Sequence, residues 1–228
     1  MSTTAAPPVQ HGEAGALRSL VSDWSSDRQT FHVAWGKAMM WIFLLSDTFI
    51  FGSFLTSYMT VRASTTVPWP NASQVFSLNI GGTDLPLLLI AIMTFVLITS
   101  SGTMAMAVNF AYQRDRRRAA ILMFVTAGFG VMFVGMQAFE WTKLISEGVR
   151  PWGNPMGAAQ FGSTFFMITG FHGLHVTGGV IYLLYVAIRL LRGRYERKPN
   201  YQIVEIVGLY WHFVDLVWVF IFAFFYLW

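Results

Sequence analysis

The chain has 228 residues, of which 55% are apolar and only 11% are charged. A soluble domain carries about 25% charged residues, so this chain has too little polar surface to face water on all sides. It contains no cysteine, which excludes disulfides, iron–sulfur clusters, thiolate zinc sites and thiol catalysis. The composition therefore predicts a protein whose main solvent is a lipid bilayer.

Apolar runs dominate the chain from residue 34 onward. Residues 1–33 are polar and lack the apolar stretch of a signal peptide, so we expect them to form a tail. The runs exceed the roughly 20 residues that cross a membrane. They predict helices at about 34–60, 85–112, 119–146, 160–191 and 203–227. Because a helix pairs its own backbone groups inside lipid, we expect one all-α bundle over 34–228, with 61–84 as a surface loop.

The basic residues predict the orientation of these helices. Twelve of the 15 Lys and Arg residues flank the start of helix 1 or lie in the links between helices 2 and 3 and between helices 4 and 5. The other three are Arg62, Lys143 and Arg150. The positive-inside rule then places the N-terminus and its tail in the cytoplasm and the C-terminus outside. Because the clusters are juxtamembrane, we expect no nucleic-acid partner.

Six ionisable residues lie inside the predicted helices, where each costs roughly 2.5–3.5 kcal/mol near mid-helix on insertion scales. They are Asp47, Glu140, His172, His175, His212 and Asp215. Asp47 lies near the middle of helix 1, where burial disfavours the charged form of an isolated carboxyl group. It is either an acid that exchanges protons or contacts lipid, or a protonated side chain hydrogen-bonded to a neighbouring helix.

The histidines allow two interpretations as well. His172 and His175 are three residues apart and share a helix face, so they are a candidate metal or haem pair. No Glu-x-x-His motif accompanies them, and we favour hydrogen bonds between helices, with no metal in this chain. His212 and Asp215 have the same spacing. An acid beside a histidine can fix its tautomer, but we favour a polar pair that holds helix 5 to the bundle.

Four segments carry a resemblance to a known family. GSTFFMITGFHGLHVTGG (162–179) and YWHFVDLVWVFIFAFFYLW (210–228) resemble the two signature helices of subunit III of cytochrome c oxidases and related quinol oxidases. MQAFEW (136–141) resembles the family segment with a buried glutamate, and WIFLLSD (41–47) resembles the first helix of the shorter form. The resemblance spans about 34–228 and implies the five-helix bacterial form, since only a polar tail precedes helix 1.

The resemblance implies an accessory role in the bacterial inner membrane. Members of this family carry no redox centre. They pack against subunit I, assemble with subunit II, bind phospholipids and support proton uptake, while haem and copper lie in the partner subunits. The residues agree, because this chain has no cysteine for the dinuclear copper site of subunit II. It has five histidines, fewer than the six that bind metals in subunit I.

Several alternatives stay open at this level. Ser46-Asp47 stands where many family members have Ser-Glu, and this change is also typical of quinol oxidases, so the electron donor is cytochrome c or ubiquinol. The close sequence similarity of the two signature helices to those of cytochrome c oxidases favours cytochrome c. Arg189 matches a position at which family members contact a lipid phosphate. The alternative is that its charge only helps to set the orientation of helix 4 in the membrane. A transporter acting alone would show an inverted repeat, which we do not find. The accessory subunit of a nitric oxide reductase is a further alternative.

Overall fold

Five long helices are present in the computed structural model, which describes residues 35–80, 83–195 and 202–227. They are α1 (Trp35–Ser64), α2 (Leu88–Tyr112), α3 (Arg116–Ser146), α4 (Ala159–Leu191) and α5 (Gln202–Phe222). A π-helical turn, Ala223–Leu227, continues α5. All five are long and apolar enough to cross a membrane. The predicted all-α membrane fold is therefore confirmed.

Two helices are longer than the apolar pattern predicts. α1 runs four residues past the predicted end, to Ser64. α3 begins at Arg116 because the Asp115 side chain accepts a hydrogen bond from the Arg118 backbone N–H at 3.1 Å and caps the helix. The basic residues of its first turn follow this cap directly and make the sequence look like a loop.

The long connection between α1 and α2 is more ordered than the predicted surface loop. It holds one helical turn, Ala72–Val75, and two antiparallel strands, β1 (Ser77–Ile80) and β2 (Thr83–Pro86). Val75 and the next residue, Phe76, are buried, so part of this connection belongs to the core. The Lys143 ammonium group of α3 donates a hydrogen bond to the Ser77 carbonyl oxygen and attaches the hairpin to the helices.

The chain divides into two compact units, residues 1–42 and 43–228. Of the first unit, the structure describes only the start of α1. Within the second, α2 packs on α3, α3 on α4, α4 on α5, and α5 returns to α2. Large side chains fill the centre of these four helices, among them Phe133, Trp211 and Trp218. α1 is the least buried of the five helices.

Only some of the glycines in the helices serve close packing. A Cβ atom at Gly130 of α3 would lie 2.6 Å from both Trp211 of α5 and Val180 of α4. Gly179 of α4 faces the same indole ring at 3.0 Å. The helical glycines that have no such neighbour within 4 Å include Gly128, Gly135 and Gly173. The point where α3, α4 and α5 meet therefore depends on the missing side chain at Gly130.

Candidate functional site

Asp47 of α1 and His175 of α4 form a buried pair. The His175 Nε2 atom lies 2.9 Å from Asp47 Oδ2, although its direction departs from ideal hydrogen-bond geometry. The Asp47 residue is 4% exposed. The Phe51 ring of α1 covers the pair, with its centroid 5.5 Å from that of His175. The structure thus gives Asp47 a specific partner on a neighbouring helix.

The tautomer of neutral His175 follows from its contacts. His175 Nδ1 lies 2.8 Å from the Phe171 carbonyl oxygen. Because a carbonyl oxygen only accepts, Nδ1 carries a proton and donates it. A neutral ring then has a bare Nε2, so a hydrogen bond between Nε2 and Asp47 needs one further proton, either on the carboxyl group or on Nε2.

His172 makes a different contact, although it lies on the same helix face. Its Nε2 atom donates a hydrogen bond to the Val214 carbonyl oxygen of α5 at 3.1 Å. Phe133 and Trp218 enclose the ring, which is fully buried. Its Nδ1 atom has no hydrogen-bond partner among the described residues. His172 therefore joins α4 to α5, while His175 turns toward α1.

His212 and Asp215 of α5 are linked to α2 through one hydroxyl group. Ser101 Oγ lies 2.7 Å from His212 Nδ1. The Asp215 carboxyl group also interacts with the Ser101 side chain and with His212. Its Oδ1 atom has no hydrogen-bond partner in the described parts of the chain. Ser101 thus stands between an imidazole and a carboxyl group.

Hydroxyl groups of α2 form further contacts that the sequence analysis did not identify. The Trp211 indole N–H donates to Ser100 Oγ at 2.9 Å, and the Trp218 indole N–H donates to Thr94 Oγ1 at 3.0 Å. Both tryptophans are in α5. The signal was present, because a buried tryptophan needs a hydrogen-bond acceptor and α2 is rich in Ser and Thr. These bonds hold α5 against α2, and along α5 they lie on either side of His212 and Asp215.

Glu140 of α3 is the centre of a second buried cluster. The Gln137 side-chain amide donates to Glu140 Oε2 at 2.8 Å. The Tyr226 hydroxyl group lies 3.2 and 3.3 Å from the two carboxyl oxygens. Tyr226 belongs to the π-helical turn, and its ring packs on Phe76 with the centroids 4.5 Å apart. Glu140 therefore ties the end of the chain to α3.

We predict that Glu140→Leu destabilises the protein by about 1–3 kcal/mol, because the Tyr226 hydroxyl and the Gln137 amide lose their buried acceptor. Glu140→Gln keeps one acceptor oxygen and is the matched control. The measurement is the loss of helical circular dichroism with rising denaturant in detergent. Equal midpoints for the two variants would show that the cluster does not stabilise the fold.

Arg189 lies in the last turn of α4 and is half-exposed. Its guanidinium carbon stands 4.5 Å from the centroid of the Tyr185 ring, within range of a cation–π interaction. This contact orients the guanidinium group at the end of the helix. The lipid-phosphate role of Arg189 stays a prediction.

The six intramembrane residues therefore fall into separate polar clusters. Asp47 pairs with His175, whereas His172 bonds to a backbone carbonyl of α5. His212 and Asp215 meet at Ser101, and Glu140 lies with Gln137 and Tyr226. Within the described residues, no group of three or more His, Cys, Asp or Glu side chains is placed to hold a metal ion. These contacts join helices inside the bundle.

Comparison with known proteins identifies the family. A family-wide sequence profile described as "Cytochrome c oxidase subunit III" matches residues 20–228. The match begins inside the segment predicted to be a tail. A Staphylococcus aureus (strain USA300) protein named "Probable quinol oxidase subunit 3" is 32% identical over 197 residues, which cover 86% of this chain and 90% of the relative.

A second relative gives the same result. The Staphylococcus saprophyticus protein of the same name is 31% identical over 188 residues, covering 82% of this chain and 86% of the relative. Members of the subunit III family are known to lack redox centres of their own. The chain belongs to the subunit III family of haem–copper oxidases.

Proposed function

We propose that the chain is the accessory subunit III of a proton-pumping oxygen reductase, in which it stabilises the catalytic subunit and supports proton uptake. The observation that carries the second role is the Asp47–His175 pair. The carboxyl group of Asp47 in α1 and the imidazole of His175 in α4 lie 2.9 Å apart, and each is a group that can accept and release a proton. Such a pair suits a subunit that serves a proton-consuming neighbour.

The proposed partners follow from what this chain lacks. Oxygen reduction needs haem and copper, and we place these in subunits I and II, with subunit I packed directly on this chain. Phospholipids are the third partner. Arg189 is the candidate residue for binding a lipid phosphate, because one guanidinium group can donate two parallel hydrogen bonds to phosphate oxygens. We place the complex in the bacterial inner membrane, with the N-terminus cytoplasmic, as the distribution of basic residues favours.

We expect the chain to co-purify with a larger, haem-bearing polypeptide after gentle solubilisation. The expected result is a fraction in which haem absorbance, oxygen consumption and this chain elute together. A fraction that holds the chain alone, without haem absorbance, would contradict the proposal and favour a stand-alone proton transporter. Reduction of nitric oxide in place of oxygen by the same fraction would instead indicate the related reductase.

We propose cytochrome c as the electron donor, because the two signature helices are similar in sequence to those of cytochrome c oxidases. The relatives are named as quinol oxidase subunits, which makes ubiquinol the second candidate. The same purified fraction distinguishes them, because oxygen consumption can be started with reduced cytochrome c or with ubiquinol. Consumption with ubiquinol alone would replace the first candidate by the second.

A further inference from the structure

A stripe of polar side chains follows one face of α3 from its buried part to its end. It consists of Gln137, Glu140, Lys143 and Glu147, whose spacings of three or four residues place them on neighbouring turns of one helix face. Gln137 and Glu140 are buried, whereas the Lys143 and Glu147 side chains are partly exposed. At 1.5 Å per residue, Glu140 lies about 9 Å from the last residue of α3, Ser146. The stripe therefore leads from a buried carboxyl group to the end of a membrane-spanning helix.

Two steps of this stripe are direct contacts, and the step between them is a cavity. The Gln137 amide donates to Glu140 at 2.8 Å, and Lys143 Nζ lies 3.5 Å from Glu147 Oε1. Glu140 and Lys143 line one small cavity, with about 10 Å³ of room for the centre of a water molecule. Room of about 10–15 Å³ is enough to hold one water molecule. The other walls are apolar side chains of α2, α3 and the α1–α2 connection: Val75, Phe76, Leu89, Ile90 and Leu144.

Both polar walls of the cavity keep hydrogen-bonding capacity for a water molecule. The Lys143 ammonium group has three N–H donors. One donates to the Ser77 carbonyl oxygen and a second faces Glu147, which leaves the third. The Glu140 carboxyl group offers about four acceptor positions and receives two donors from the protein. A water molecule can therefore accept a hydrogen bond from Lys143 and donate one to Glu140, which meets its need for at least two polar partners.

We propose that this cavity binds one water molecule, which bridges the Glu140 carboxyl group and the Lys143 ammonium group. The water completes a hydrogen-bonded path along α3 from Gln137 to Glu147. It connects the buried carboxyl group with the aqueous phase beyond the end of α3. Ionisable groups at membrane depth are costly unless they are paired, and a bridging water pairs both groups at once. The site needs no oxidase partner, since all of its lining residues belong to this chain.

Hydroxyl-radical labelling tests for this water directly. Radicals formed from a bound water by brief X-ray exposure oxidise the nearest side chains, even where bulk solvent does not reach them. Leu144 lines the cavity and is 1% exposed. Leu97 of α2 and Leu183 of α4 are the matched controls, because both are 0% exposed and lie outside this cavity. The full chain is irradiated in detergent, and mass spectrometry of its peptides measures the oxidation of each leucine.

We expect Leu144 to be oxidised several-fold faster than Leu97 and Leu183. Lys143→Leu should lower the Leu144 rate to that of the controls, because it removes the donor to the water. Glu147→Gln should leave the Leu144 rate unchanged, because Glu147 does not line the cavity. Equal rates for the three leucines in the unaltered chain would overturn the water site. A Leu144 rate that stays high or rises in Lys143→Leu would also overturn it, since bulk solvent would then be the source of the radicals.

Discussion

Replacing Asp47 with Asn is expected to leave the oxidase assembled while changing the pH dependence of oxygen consumption. The Asn amide can donate to the bare Nε2 atom of His175, whose Nδ1 atom stays bonded to the Phe171 carbonyl oxygen. The contact between α1 and α4 is then preserved. The side chain no longer exchanges a proton, so any part of turnover that depends on proton delivery through this pair is lost. Oxygen consumption across neutral and alkaline pH measures the effect.

Asp47→Leu is the companion variant, since it removes the contact as well as the proton. It leaves His175 Nε2 unpaired, and we expect a loss of stability of about 1–3 kcal/mol. The amount of this chain retained in the purified complex on warming measures that loss. If Asp47→Asn and the parent give superimposable pH profiles, the pair serves only to hold α1 against α4.

Gly130→Ala is expected to destabilise the meeting point of three helices by about 1–3 kcal/mol, the usual cost of adding volume to a packed core. The new methyl group would stand 2.6 Å from Trp211 and from Val180. The indole ring cannot retreat freely, because its N–H donates to Ser100. We expect a lower denaturation midpoint and weaker retention in the complex. Circular dichroism in detergent and the yield of co-purified chain measure the two effects.

Gly128→Ala is the control for this prediction. It adds the same methyl group to the same helix, but nothing lies within 4 Å of the new atom. The change is therefore expected to be neutral or to stabilise slightly through the higher helix propensity of alanine. Equal behaviour of the two variants would show that α3 can shift away from α5 at little cost.

The length of the apolar runs and the scarcity of charged residues were enough to predict the five helices. Lipid leaves a long apolar segment few alternatives to a helix, so each of the five long helices followed from the length of its apolar run. The helix ends were less predictable. α3 begins inside a cluster of arginines, because a single capping carboxylate at Asp115 outweighs their polar character. The strands β1 and β2 flank Gly81-Gly82, a hairpin signal that we did not use.

The candidate site was predictable residue by residue, and His212 and Asp215 were predicted as a pair, but the partners on other helices were not predictable. The cost of burying an ionisable group identifies Asp47 and Glu140 directly. Their partners depend on which helices become neighbours, and a single sequence does not contain that information. His172 and His175 share a spacing that predicts a common role, yet they contact α5 and α1 respectively. Tyr226 had no signal at all, since its role arises from a π-helical turn at the end of the chain.

The separation of Asp47 and His175 along the chain has a consequence for biosynthesis. α1 emerges from the ribosome before α4, so the carboxyl group enters the membrane before its imidazole partner has been made. During that interval a neutral carboxylic acid is the less costly form in hydrocarbon. The pair can form only after α4 inserts, so the contact between α1 and α4 is made late in the maturation of the nascent polypeptide.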